Sequence, residues 1–204
     1  ANFLREHIIQ DARIHYVISN GGGQPNVVPD FAEVWYYVRA PRRQDLNEIY
    51  ARVLKIAEGA SLMTGARLEV KFEDGCYEYL ANPVVSDVLL ESLQQVGGPR
   101  FSAEDRAFAA EIEKTFAPGQ KESLLRANHV PQELWSVSLH ETIAPPFDKG
   151  MIGHGSTDVG DVSWIAPTGQ ITTATFVLGT SGHSWQNAAQ SGMGIGHKGM
   201  LTAA

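Results

Sequence analysis

Three short stretches of the chain concentrate side chains that can bind a ligand or take part in catalysis. The first, residues 20–30, reads NGGGQPNVVPD. Its glycines let the backbone approach a ligand closely, and Asn26 offers both a hydrogen-bond donor and an acceptor. A tight connection between two strands, with an asparagine in a left-handed turn, would have the same composition. The stretch therefore leaves two interpretations open, a ligand-binding loop and an ordinary turn.

The second and third stretches lie in the glycine-rich C-terminal part of the chain. Residues 154–158, HGSTD, surround an acid and two hydroxyl groups with small residues. This suits a loop that binds an anion or an amide, and a plain turn with a side-chain hydrogen bond fits equally well. Residues 178–185, LGTSGHSW, place His183 between an apolar strand candidate and a helix, where its imidazole can point into a cleft. A single histidine is, however, more often structural than a ligand.

Other residues make weaker candidates. His15, His129 and His140 fit ordinary strand or loop histidines, and the aromatic run 35–37 most simply packs a sheet against a helix. The sequence contains no HExxH, GxSxG, CxxC or phosphate-binding loop pattern, so the usual motifs of several enzyme classes are absent.

Composition limits the class of protein further. Of the 204 residues 43% are hydrophobic and 19% are charged, which is ordinary globular usage and excludes a disordered or fibrous chain. A net charge of −7 without a Lys/Arg-rich patch argues against nucleic acid as a partner. No apolar run of about 18 residues exists for a transmembrane helix, so no membrane partner is expected. Residues 1–20 lack a signal-peptide pattern and Cys76 is the only cysteine, so we expect a cytoplasmic protein.

The elements that must position these residues follow from hydrophobic periodicity. Over residues 1–79 the pattern predicts the order helix, strand, strand, helix, strand. The predicted elements are residues 2–9, 13–18, 33–39, 46–60 and 67–73. Asp45 with Glu48 resembles a capping box for the second helix, and Gly65 supplies a left-handed end. This order predicts a layered α+β unit, and a four-stranded version would need one more strand upstream of the first residue.

Beyond residue 80 the pattern becomes mainly helical. It predicts helices over 82–97 and 102–112, a loop from 116 to 151, a strand over 171–178 and a Gly/Ala-rich helix from 184 onward.

Three ordered runs resemble the M20 family of metal-dependent amidohydrolases and carboxypeptidases: VISNGGGQPNVVPDFAEVWYYVRAP at 17–41, GHGSTDVGDVSW at 153–164 and LGTSGHSWQ at 178–186. The resemblance covers essentially the whole chain, and it is strongest to the branch whose members cleave p-aminobenzoyl-glutamate, a folate breakdown product. In that family a catalytic domain carries two divalent metals, and an inserted lid domain of two helices and four antiparallel strands mediates dimerisation. The resemblance implies a lid lacking its first strand at residues 1–79 and the C-terminal part of an α/β metallopeptidase-type catalytic domain at 80–204.

The resemblance also implies roles for individual residues. His183 sits where the family has its last metal ligand, a neutral imidazole. Asn26 matches a lid asparagine that reaches substrate across the dimer. The other metal ligands, the general-base glutamate and a lid histidine are expected upstream of the first residue, so no catalytic residue is assigned within this chain.

The HGSTD stretch takes its roles from the same resemblance. Ser156, Thr157 and Asp158 match the loop that lines the substrate pocket. His154 falls where several relatives have an arginine that clamps the substrate carboxylate. A histidine there is a departure from the family, and it would hold an anion only when protonated or through a hydrogen bond.

The implied function is part of a hydrolase that converts p-aminobenzoyl-glutamate to p-aminobenzoate and glutamate. The implied cofactors are two divalent ions, Zn or Mn. The implied partners are the small-molecule amide substrate and a second copy bound through the lid, together with a related second subunit. Two alternatives stay open. The substrate would be a dipeptide or another N-acyl amino acid, or the chain would be a dimerisation module that is inactive by itself, because one ligand cannot hold two metals.

Overall fold

The computed structural model describes residues 1–147, 150–153 and 155–204. Its secondary structure is α+β, with one two-stranded antiparallel sheet and several helices in the described residues. The strands are β1 (Arg13–Asn20) and β2 (Glu33–Arg39), and two short 3-10 helices cover Asn2–His7 and Gln132–Leu134. The α-helices are α1 (Arg43–Thr64), α2 (Pro83–Val96), α3 (Ala103–Glu113), α4 (Gln120–Ala127), α5 (Val159–Ser163), α6 (Trp185–Ser191) and α7 (Gly194–Ala203). None of these helices has the length and apolar character needed to cross a bilayer.

The chain divides into two compact units. Unit 1 consists of Ala1–Leu80 and Ile152–Ala166, and unit 2 consists of Ala81–Met151 and Pro167–Ala204. Unit 1 therefore contains the predicted α+β part together with a second, short stretch of chain.

The sheet of unit 1 is a hairpin whose two faces differ in burial. One face carries Ile14, opposite Val38, and packs on Ile49 and Val53 of α1. Tyr36 also packs against this core. The other face carries Trp35 and Tyr37, which are about half exposed, because successive side chains of a strand point to opposite faces. Only one of the three aromatic residues thus packs the sheet against a helix as predicted.

Helix α1 begins earlier than the predicted capping box requires. Its N-cap is Arg42, so Asp45 lies at the third helical position and binds the Arg42 guanidinium at 2.7 Å instead of capping the helix. The predicted capping box is therefore wrong. The predicted end is confirmed, because Gly65 has φ 70° and its amide donates to the carbonyl of Ser61 at 2.8 Å.

Two predicted strands do not form. Residues 67–73 alternate apolar and charged side chains as predicted, yet Leu68, Val70 and Phe72 are exposed and the segment belongs to no ladder. A strand exists only through pairing, and β1 and β2 are the only paired strands in the described part of the chain. Residues 171–178 also lie outside any ladder.

Unit 2 has a core of its own, built from α3, α7 and the loops between. The buried apolar residues are Phe101, Ala109, Ile112, Leu139, Val177 and Ile195. The two predicted helices at its start are confirmed as α2 and α3. Asn82 caps α2 by accepting from the Val85 amide at 3.1 Å, and Ser102 and Asp105 form a reciprocal capping box on α3.

Helix α4 occupies a stretch predicted as loop. Its sequence, QKESLLRA, is polar, and only Leu125 is buried, so no apolar stripe marks it. The predicted C-terminal helix is also interrupted, since α6 ends at Ser191 and α7 begins at Gly194.

Candidate functional site

Asn26 lies in the long loop that joins β1 and β2, and the loop is held by local contacts. The side chain of Asn20 accepts from the amide of Gly22 at 3.0 Å, and Gly22 adopts φ 97°. A Cβ at Gly22 would approach Pro29 to 3.1 Å, a tight contact that adds to the strain its positive φ would impose on other residues. Asn26 itself is exposed in a turn closed by the Val27 amide on the carbonyl of Gln24, at 3.2 Å.

The same loop forms an open depression of about 590 Å³ with the end of β1. Its lining comprises Asn20, Gly22, Gly23, Val27, Val28, Pro29, Asp30 and Phe31. Asn26 is not among these residues, so its exposed amide is available outside the depression.

Ser156, Thr157 and Asp158 form one exposed turn that leads into α5. The Thr157 hydroxyl accepts from the Val159 amide and approaches Asp158 Oδ1, each at 3.3 Å. The Gly160 amide donates to the Thr157 carbonyl at 3.1 Å. Three polar side chains therefore reach solvent from a turn whose backbone is fixed by the following helix.

Helix α5 in turn is anchored on residues 77–80 within unit 1. Asp161 accepts from the Tyr77 amide at 2.9 Å, Ser163 accepts from the Leu80 amide at 2.8 Å, and the Trp164 indole donates to the Glu78 carbonyl at 2.9 Å. The rings of Tyr77 and Trp164 also pack together, with centroids 5.4 Å apart.

Gly160 makes this anchoring possible. A Cβ at this position would lie 2.2 Å from the carbonyl oxygen of Tyr77, a distance that no side chain can occupy. The close approach of the two backbones therefore fixes the start of α5, where the Ser156–Asp158 turn ends.

His183 lies in unit 2, at the start of α6, and its side chain is exposed. The residues on either side of it are tied to the helix. Ser184 caps α6 by accepting from the Asn187 amide at 3.2 Å, and its hydroxyl donates to the Ser181 carbonyl at 2.7 Å. The Asn187 side chain donates to the Gly182 carbonyl at 2.8 Å. An imidazole held on a fixed backbone and open to solvent is suited to bind a metal.

The segment before His183 is fixed by a buried polar network. Gln190, which is 0% exposed, accepts from the Val177 amide at 2.7 Å and donates to the Thr180 hydroxyl at 3.1 Å. Gln120 donates to the Gly179 carbonyl at 3.0 Å, and the Leu178 amide donates to the carbonyl of Ser138 at 2.9 Å. The amides of Val177 and Leu178, at the end of the apolar run 171–178, therefore donate to a side chain and to a loop and not to a neighbouring strand.

Gly179 completes this arrangement. It has φ 95°, and a Cβ would come within 2.6 Å of the Lys121 side chain, which is paired with Glu113 at 2.7 Å. Glu113 also accepts from the hydroxyl of Ser138 at 2.8 Å.

The described side chains do not assemble a metal site by themselves. Over residues 1–147, 150–153 and 155–204, no three His, Cys, Asp or Glu side chains come together as a metal-binding group. His183 thus fits the role of one ligand, and a catalytic metal needs about three protein ligands. His154 lies outside the described residues.

The structure places the predicted site residues in two units. The Ser156–Asp158 turn and Asn26 both belong to unit 1, on different loops, and His183 belongs to unit 2. The residues that hold these loops, Gln190 and Gly160 above all, were missed by sequence reasoning. The spacing of Gln186 and Gln190 by one helical turn in a Gly/Ala-rich helix was the one available signal.

Comparison with known proteins gives a consistent picture. No protein-family profile matches the chain. The chain is 40% identical to one of the subunits of p-aminobenzoyl-glutamate hydrolase from Escherichia coli (strain K12), over 100% of its own length and 44% of that protein. It is 31% identical to the Xaa-Arg dipeptidase of Homo sapiens over 50% of the chain and 23% of that protein. It is 28% identical to the N-acetyldiaminopimelate deacetylase of Leuconostoc citreum (strain KM20) over 46% of the chain and 24% of that protein.

These relatives are all hydrolases of the M20 type, so the resemblance of the chain to the M20 family is confirmed. Similarity over the whole chain is to the p-aminobenzoyl-glutamate hydrolase polypeptide in particular. The chain spans less than half the length of the curated relatives it matches.

Proposed function

We propose that this chain forms the C-terminal part of an M20-type metal-dependent hydrolase that cleaves p-aminobenzoyl-glutamate to p-aminobenzoate and glutamate. The observation that carries the proposal is 40% identity over the entire chain to a protein named for that reaction. The two other relatives also cleave amide bonds by their names, and each covers only half of the chain or less.

His183 is proposed as one metal ligand of this enzyme. It is exposed, and both neighbouring residues belong to the hydrogen-bonded start of α6, so the imidazole projects from a rigid position. When bound, two divalent ions, Zn or Mn, would ease proton loss from a water molecule and polarise the amide carbonyl. The remaining ligands and the general-base glutamate are proposed to come from sequence outside this chain.

The residues of unit 1 are proposed to bind substrate. Ser156, Thr157 and Asp158 offer hydroxyl and carboxylate groups from one anchored turn, which suits an amide or its glutamate side. Asn26 offers a free-standing amide from the hairpin loop. His154 is proposed to meet the substrate carboxylate, in place of the arginine of several relatives.

The same similarity supports an assignment of the two parts of the chain to two domains. Residues 1–79 are proposed as the lid, and residues 80–204 as part of the catalytic domain. A four-stranded lid would need both a strand from outside the chain and pairing of residues 67–73. Exposed Trp35 and Tyr37, with ring centroids 5.3 Å apart, support a lid that dimerises. Since the name of the Escherichia coli relative describes one component of a larger enzyme, we propose a related second polypeptide as a further partner, in the cytoplasm.

The test is hydrolysis of p-aminobenzoyl-glutamate with added Zn or Mn, by the 204-residue chain and by a full-length protein that contains it. The proposal expects p-aminobenzoate from the full-length protein and none from the chain alone. Cleavage of Xaa-Arg dipeptides in preference to p-aminobenzoyl-glutamate would favour the dipeptidase alternative. If the full-length protein hydrolysed none of these amides, only the alternative of an inactive dimerisation module would remain.

A further inference from the structure

We propose that Gln190 is a positioning residue for His183, acting through the backbone of residues 177–180; the inference rests on the proposed role of His183 as a metal ligand. Gln190 lies on α6, about two turns beyond the helix start that carries His183. Its side-chain hydrogen bonds are made to Val177, Thr180 and Gln186 and not to the imidazole. Its side chain instead links α6 to residues 177–180, which precede His183.

The primary amide of Gln190 makes three hydrogen bonds. Its oxygen accepts from the Val177 amide at 2.7 Å, and its nitrogen donates to the Thr180 hydroxyl at 3.1 Å and to the Gln186 carbonyl at 3.0 Å. Because the Val177 partner is an N–H, the orientation of the Gln190 amide is determined by this network.

Burial makes these bonds hard to replace. Gln190 and Val177 are 0% exposed, and Thr180 is 8% exposed. Water cannot take over a bond at a fully buried amide without a cavity, so loss of the Gln190 side chain leaves the Val177 N–H without a partner. The bonded residues bracket a turn in which the Thr180 amide donates to the Val177 carbonyl at 3.0 Å.

The turn connects to His183 through two residues, Ser181 and Gly182, that are also hydrogen-bonded to the start of α6. The Ser181 carbonyl accepts from the hydroxyl of Ser184, and the Gly182 carbonyl accepts from the side chain of Asn187. Gln190 is the innermost of these attachments. Because α6 is hydrogen-bonded to the segment at Val177, Thr180 and Gly182, it fixes the position and direction of the backbone at His183.

A core role alone would give a loss of stability and nothing more, and Gln186 offers the matched control. Gln186 lies one turn earlier on α6, is also buried, and donates to Thr115 at 3.3 Å. Gln186→Met should lower stability without moving His183, because its side-chain bond is made to Thr115. Gln190→Met keeps a side chain of similar size and removes the hydrogen bonds to Val177 and Thr180.

The experiment uses the full-length protein and measures Zn and Mn affinity by competition with a chelator, alongside urea denaturation. We expect Gln190→Met to weaken binding of one of the two ions by about tenfold or more, in the range found for residues that orient a ligand. Gln186→Met should leave both affinities within about twofold of wild type, the resolution such a comparison needs. Thr180→Val, which removes one bond and keeps the side-chain volume, should give a smaller loss of affinity for the same ion.

The outcomes separate the inference from the proposed function. His183→Ala measured in parallel must weaken the same ion; if it does not, the ligand assignment fails and the inference fails with it. If His183→Ala weakens one ion while Gln190→Met and Thr180→Val keep wild-type affinity, the ligand assignment stands and the positioning role is wrong. Equal losses of affinity in Gln186→Met and Gln190→Met would also overturn it.

Discussion

Removing the carboxylate of Asp105 is expected to destabilise unit 2 strongly. Asp105 is 7% exposed and accepts from the amide of Ser102 at 2.7 Å, from its hydroxyl at 2.8 Å, and from the ammonium group of Lys198. It therefore joins the start of α3 to α7. Asp105→Ala breaks all three bonds and leaves the Ser102 amide and the Lys198 charge without this partner.

The magnitude follows from the two parts of the interaction. Loss of a helix cap costs about 1 kcal/mol, and loss of a hydrogen bond to a charged group costs about 1.5–3 kcal/mol. The Lys198 side chain is 34% exposed, so water recovers part of its solvation and the cost stays below that of a fully buried pair. We expect Asp105→Ala to lower the free energy of unfolding by about 2–4 kcal/mol.

The assay is urea denaturation of the chain followed by far-UV circular dichroism, with Asp105→Asn as the control that keeps an acceptor for Ser102 and removes the charge. Asp105→Asn should lose less than Asp105→Ala, and Lys198→Met in the Asp105→Asn background should add little. A loss under about 0.5 kcal/mol for Asp105→Ala, the scatter of ordinary surface substitutions, would refute the reasoning.

The same carboxylate makes stability depend on pH. Burial by itself would raise the pKa of Asp105, but the hydrogen bonds from Lys198 and Ser102 outweigh it and hold the pKa below its ordinary value. The unfolded chain then binds more protons, so this contribution is complete above the ordinary carboxyl pKa of about 3.9 and is lost as pH falls through the folded value. The pKa of Glu141 is also lowered, first by the amide of Phe101 and then by Arg106. Urea midpoints between pH 6 and 2.5 should therefore fall more steeply for wild type than for Asp105→Asn. The variant should still lose the contribution of Glu141 to stability as the pH falls.

Three further predictions concern the candidate site. In the full-length enzyme His183→Ala should remove most activity and weaken one metal while stability is unchanged, and unchanged turnover with unchanged metal content would exclude the ligand role. Asn26→Ala should lower turnover with p-aminobenzoyl-glutamate and leave metal content as it is, since a substrate contact is lost; a drop in bound metal would contradict this. Gly160→Ala should expose the α5 region to limited proteolysis because its Cβ would lie 2.2 Å from the Tyr77 carbonyl, and Gly153→Ala, where a Cβ meets nothing within 4 Å, is the matched control. Equal cleavage of both variants would argue against the close approach.

Local signals made part of the fold predictable. Helices α2 and α3 carry their own start signals, Asn82 before a proline and Ser102 before Asp105, and α1 has an apolar stripe and a glycine end. Each of these features acts within a few residues, so the sequence pattern is sufficient.

Non-local requirements account for what the pattern missed. Residues 67–73 have the alternation of a strand, and alternation cannot tell whether a pairing partner exists. Helix α4 is short and polar, and its one buried side chain, Leu125, leaves no periodic signal.

The residues of the candidate site also fall into two groups, those that the sequence revealed and those that depend on distant contacts. His183 and Asn26 were found because their surrounding runs resemble a family, whereas the role of Gln190 depends on bonds to residues 10 and 13 positions away. A buried glutamine in a Gly/Ala-rich helix gives no hint of which amides it will meet until the fold brings them together.

The discontinuity of unit 1 has a consequence for synthesis of the protein on the ribosome. Its two stretches, Ala1–Leu80 and Ile152–Ala166, are separated in the chain by 71 residues of unit 2. At a translation rate of roughly 5–20 residues per second, the second stretch follows the first by about 4–14 s. During that interval the amides of Tyr77 and Leu80 lack Asp161 and Ser163 as acceptors. Unit 1 can therefore finish folding only after most of unit 2 has been made, and a nascent chain arrested before residue 152 should be more open to proteases around residues 77–80 than one arrested after residue 166.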